Sequence, residues 1–118
     1  MRILHMLHSL DCKVGEIGVT ARNGSKWSDA LGQIIALCVC THRQTDTYTC
    51  PEEDIQGHGK VISVWRGSFS AIPARLIEHE HELESRGYSG LLHSMRRAYG
   101  EAFSENNDVV VLTYERID

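Results

Sequence analysis

The sequence predicts one α+β domain spanning residues 1–118, with a mixed, curled or barrel-like sheet and flanking helices. Three observations carry that expectation. Gln33–Cys40, Lys60–Arg66 and Val109–Tyr114 are apolar or β-branched runs of strand length. Two helical patterns, Ala74–Glu84 and Ser89–Ala102, stand between the second run and the third. Polar and glycine-bearing breaks separate all of these. At 118 residues, one core burying roughly two-thirds of the unfolded surface is within reach without staples.

Taken in order, Met1–Leu10 carries Ile3, Leu4, Leu7 and Leu10, compatible with a short helix or with a strand and turn. Asp11–Gly24 is punctuated by Gly15, Gly18 and Gly24. Ser25–Gly32 reads as a loop carrying Trp27. Gly32 suits a turn into the Gln33–Cys40 strand, whose apolar character predicts burial on both faces. Thr41–Gly59 is polar, with Pro51 and Glu52-Glu53-Asp54, and reads as a long loop or ragged hairpin. Pro73 opens the first helix and Gly87 ends it. Ser89 is a candidate N-cap for the second, where Leu91, Leu92, Met95, Ala98, Tyr99 and Ala102 form an apolar stripe.

Composition narrows function. A formal net charge of −4 argues against nonspecific binding to long nucleic acid, while a short nucleoside-sized ligand needs no basic patch. No stretch approaches the ~18 apolar residues of a membrane span. The N-terminus lacks the apolar core and cleavage site of a signal peptide, because His5 and His8 interrupt it. The expected location is therefore cytoplasmic, with Cys12, Cys38, Cys40 and Cys50 as reduced thiols.

The chemistry centres on Gly15–Gly24. Thr20 and Arg22, spaced i, i+2, share a face if the segment is extended. A hydroxyl beside a cationic fork suits an oxygen-rich ligand; the alternative is a glycine-flanked edge that serves only the fold. Cys38, Cys40 and His42 alternate, with Cys50 following. Their spacing lacks paired zinc knuckles, so core packing is expected and no metal. In Glu78–Glu84, Glu80 pairs with Glu84 and Glu78 with Glu82 at i, i+4, mostly as a solvated acidic face. Glu84 stands at the expected helix end, where a carboxylate can turn inward. Lys26 and Lys60 are candidates to reach a cleft near Thr20, or plain surface lysines. The chain has no nucleophile elbow, phosphate loop or H-E-x-x-H motif.

These pieces together resemble the ASCH domain family. Gly15, Thr20 and Arg22 fit its G-x-K-x-x-T-x-R motif. Gly32 before an apolar strand, Phe69, Glu84-Ser85, Ala98-Tyr99 and Val109–Glu115 follow in the family's order. The resemblance runs from about Lys13 to Ile117. It implies a barrel of the PUA-like superfamily with a cleft at its mouth and RNA- or nucleoside-directed activity. Some members resemble amidohydrolases that deacylate the exocyclic amine of cytidine with a Lys–Thr–Glu set. By position Thr20 and Glu84 match that set, Ile17 stands in the lysine's place, and Gln33 stands where Asp is frequent.

The expected function is thus binding of a nucleoside or short single-stranded RNA. Thr20, Arg22 and Glu84 would line the cleft, Lys26 and Lys60 would approach it, and Trp27 or Trp65 would offer a stacking face. No cofactor is called for. The alternative is a hydrolase of N-acylated cytidine or RNA using Thr20 and Glu84 with a displaced base, so enzymatic activity is left open by the sequence.

Overall fold

The apolar runs assemble into one five-stranded sheet. A computed structural model describes residues 1–6, 12–39, 55–80 and 86–118. The strands are β1 (Ile3–Met6), β2 (Ile17–Asn23), β3 (Ile34–Val39), β4 (Ile55–Ser68) and β5 (Asp108–Arg116). Their spatial order is β1-β3-β4-β5-β2. β1 runs parallel to β3, and the other pairs are antiparallel. The helices are α1 (Ala74–Ile77) and α2 (Tyr88–Tyr99).

Alternation along the strands builds two cores, one on each face. The inner face gathers Leu4 and Met6 from β1, Ile35 and Leu37 from β3, Val61 from β4, and Val110, Leu112 and Tyr114 from β5. Trp27 and Ala30 close over it from the β2–β3 loop. The outer face gathers Val19 and Ala21 from β2 and Val109 and Val111 from β5. Phe69, Phe103, Ile77, Leu91 and Met95 pack on that side, which brings α1 and α2 against the sheet. β3 is buried on both faces, as its sequence predicts: Ile35 and Leu37 join the inner core, while Cys38 on the other face packs with Ile3 and Ile55 in a small separate cluster.

The expected barrel is corrected to an open sheet among the described residues, since β1 and β2 are edges with no backbone pairing between them. A side chain joins these edges instead. Arg22 Nη1, on β2, donates to the carbonyl of His5 on β1 at 2.6 Å. Opposite edges can meet through one side chain only if the sheet is strongly curved.

Several boundaries differ from the sequence reading for physical reasons. Met1–Leu10 supplies a strand, while residues 7–11 lie outside the described part. β4 begins at Ile55 rather than Lys60, because Gly57, His58 and Gly59 pair with Leu37, Ala36 and Ile35. The rest of the expected loop, residues 40–54, lies outside the described residues. The first helix stops at Ile77 instead of running to Glu84. Tight turns follow, with His79 N–H donating to Leu76 and Glu80 N–H to Ile77. Glu80 then bridges Val19 on the open edge of β2. Gly87, expected to end the first helix, is the N-cap of α2, and Ser89 sits inside its first turn. An earlier start lets Tyr88 reach Phe69, their ring centroids 5.0 Å apart. Gly32 does turn into β3, with φ +81°.

The cysteines part company. Cys38 is disulfide-bonded, with its partner outside the described residues, whereas Cys12 is free and buried. The expectation of four reduced thiols therefore fails at Cys38. The Cys12 thiol donates to the Glu16 carbonyl at 3.2 Å, and burial raises its pKa. Native, non-reduced protein at neutral pH is expected to alkylate Cys12 at least ~10-fold more slowly than denatured protein, measured by peptide mass spectrometry. Equal rates would show that this corner opens freely. No helix among the described residues is long and apolar enough to cross a membrane.

Candidate functional site

β2 positions the site. Its residues alternate, so Gly18, Thr20 and Arg22 face inward while Val19 and Ala21 face the helices. The strand register sets Gly18 beside Tyr114, Thr20 beside Leu112 and Arg22 beside Val110, all on the inner face. Thr20 and Arg22 do share a face, as their spacing predicts.

These inward groups are polar and incompletely bonded. Thr20 is fully buried, and its Oγ1 has no hydrogen-bond partner among the described residues. The same holds for Arg22 Nε, although Arg22 Nη1 is engaged by His5. A buried polar atom left unpaired costs about 1–3 kcal/mol, so such atoms are expected where a ligand completes them.

Tyr114 adds a third such atom. It is fully buried, and its hydroxyl has no hydrogen-bond partner among the described residues. Its ring lies across the neighbouring strands. A Cβ at Gly18 would fall 2.4 Å from Tyr114 Cζ, and one at Gly59 would fall 2.9 Å from Cδ2. Both glycines are therefore space for the ring. Burial raises the phenol pKa well above its ordinary value, with nearby Cys12 and Glu80 adding to the rise and Arg22 opposing it. The group is a neutral donor at physiological pH.

Among the described residues, the carboxylate next to β2 is a different one from the Glu84 that the sequence singled out. Glu84 lies outside the described residues. Glu80, expected on a solvated face, is 3% exposed, and its Oε2 accepts the Ala21 N–H at 3.1 Å. Arg86 Nε donates to the Glu80 carbonyl at 2.9 Å. A buried carboxylate therefore stands at the edge of β2, bonded to the residue after Thr20. The signal for it was present, because Glu80 lies one helical turn before Glu84. Periodicity alone did not separate the two.

The other expected contacts are redistributed. Trp27 is in the inner core with the Arg2 guanidinium 4.1 Å over its ring, so it offers no free stacking face. Trp65 is partly buried against the outer core. Lys60 pairs in register with Glu115 while the next residue, Val61, pairs with Tyr114, so Lys60 is on the outer face, away from Thr20. Lys26 is exposed, and its carbonyl accepts from Arg2. Ile17 pairs with Glu115, is 49% exposed and also faces outward. The position of the family lysine therefore points to the opposite side of the sheet from Thr20. Cys40, His42 and Cys50 lie outside the described residues.

No family model matches this chain, and no curated protein matches it. Among solved structures the chain is similar to the ASCH domain of Lactobacillus crispatus, at a TM-score of 0.59 and 10% identity. The match covers 87% of this chain and 65% of that one, so this chain spans less than two thirds of that structure's length. The chain has an ASCH-like fold.

Proposed function

We propose that this protein binds a nucleoside or a short single-stranded RNA at the inner face of its sheet, with Thr20 and Arg22 as the contacting side chains. The observation that carries this reading is the pair of orphaned atoms, Thr20 Oγ1 and Arg22 Nε, on one face of one strand. Both suit a ligand rich in oxygen or ring-nitrogen acceptors. A net charge of −4 favours a short ligand over a long duplex. The ASCH-like fold is in keeping with it.

Calorimetric titration with cytidine, uridine and a short single-stranded RNA tests the reading. Thr20→Val removes the hydroxyl while keeping the shape. It is expected to weaken binding about five- to tenfold, the worth of one hydrogen bond. Absence of binding by the wild-type protein to all three would overturn the proposal.

The second reading, a hydrolase of N-acylated cytidine or RNA, draws support from the buried Glu80 carboxylate, bonded to the N–H of Ala21, the residue after Thr20. Glu80 then takes the proton-transfer role first given to Glu84. The outward position of Ile17 and of Lys60 leaves this reading without its base, which is why binding is preferred.

A further inference from the structure

The Tyr114 hydroxyl stands outside the Thr–Arg–Glu pattern read from the sequence, yet its environment is the most constrained in the site. Two glycines on two different strands make room for one ring. An alanine at Gly18 would meet Tyr114 Oη at 2.5 Å, so the hydroxyl lies over β2 itself. Thr20 is the next inward residue along that strand, about 7 Å further on at two residues' rise. Arg22 follows by the same step. The inner face of β2 thus presents the Tyr114 hydroxyl, the Thr20 hydroxyl and the Arg22 Nε–H in a row, each buried and each without a partner among the described residues.

A tyrosine serving only to fill the core has a simpler alternative. Phenylalanine fills the same space without stranding a hydroxyl, and a buried tyrosine hydroxyl ordinarily finds a partner. We infer that Tyr114 is a third ligand-contacting residue, whose hydroxyl donates to a carbonyl oxygen or ring nitrogen of the ligand that Thr20 and Arg22 contact. This inference rests on the inner-face binding reading and deepens it by adding a donor. Gly18 and Gly59 act as positioning residues, since each keeps clear the space that the ring occupies.

Tyr114→Phe separates a binding role from a structural one. The variant keeps the ring and deletes one unpaired group. Its melting temperature without ligand is expected to equal or exceed that of the wild type, while affinity for the tightest of cytidine, uridine and a short single-stranded RNA falls about five- to tenfold. A structural hydroxyl gives the reverse, with lower stability and unchanged affinity, and that result overturns the inference. Affinity unchanged in Tyr114→Phe but reduced in Thr20→Val sinks the Tyr114 role alone and leaves the binding reading standing. Failure of the wild type to bind any of the three removes both. A crystal structure of the complex with an ordered water, rather than the ligand, on the Tyr114 hydroxyl also overturns it.

Discussion

Gly18→Val is expected to lower the melting temperature by about 8 °C, corresponding to ~2 kcal/mol for a domain of this size. The sign is informative because two effects oppose each other. Valine is a better strand residue than glycine, and propensity alone favours the substitution by up to about 1 kcal/mol. Packing opposes it. The first added carbon would fall 2.4 Å from Tyr114 Cζ, and two methyl groups follow. Tyr114 is fully buried, and its other flank already lies against the Gly59 backbone, so the ring has little room to retreat. Overpacking of this kind costs about 1–3 kcal/mol for each well-packed site, and here it exceeds the propensity gain. Thermal denaturation of Gly18→Val, Tyr114→Leu and the double variant checks the cause. If the clash with the ring is responsible, the double variant is more stable than the sum of the single effects by about 1 kcal/mol or more. Additive losses would place the damage elsewhere on β2.

The residues that were legible in the sequence share a local cause. β3 and β5 are read from their apolar runs because burial on both faces leaves no other pattern. Thr20 and Arg22 are read as one face because strand alternation is a two-residue rule. What was not legible depends on distant partners. Nothing near Tyr114 in the sequence distinguishes it from a core residue of Val109–Tyr114. Its orientation is set by glycines on β2 and β4. Lys60 was a candidate to reach a cleft near Thr20 and Ile17 holds the position that the resemblance gives to a lysine, yet register puts both on the opposite face. The start of β4 was missed because Gly57, His58 and Gly59 are poor strand formers, and pairing with β3 overrides that preference. Gly57 is also required by contact, since a Cβ there would meet the Asp118 carbonyl oxygen. The barrel was expected from the doubly apolar Gln33–Cys40 run and from the family resemblance, but closure by backbone pairing is not something an apolar pattern reports.

Glu80→Ala is expected to be the most destabilising of the substitutions considered, by about 2–3 kcal/mol or ~8–12 °C. β2 is an edge strand, and edges expose backbone donors that need partners. Glu80 covers this edge twice. Its backbone bridges Val19, and its Oε2 accepts the Ala21 N–H. Alanine retains the bridge and removes the carboxylate, leaving the Ala21 N–H buried without its acceptor. A charged acceptor contributes more than a neutral one, which sets the upper end of the range. Glu80→Gln keeps an acceptor of the same length, so it is expected to recover more than half of the loss. Chemical denaturation of the three proteins, with hydrogen exchange read at Ala21, measures this. Protection at Ala21 falls in the alanine variant and largely returns in the glutamine variant if the edge bond is what Glu80 supplies. Full stability in Glu80→Ala would show that the edge is held by the backbone bridge alone. The same pair of variants bears on function. Glutamine preserves the edge and cannot transfer a proton, so loss of hydrolysis with retained binding in Glu80→Gln would favour the hydrolase reading. No hydrolysis by the wild-type protein, with binding retained in Glu80→Gln, leaves Glu80 as a structural clamp on the edge of β2.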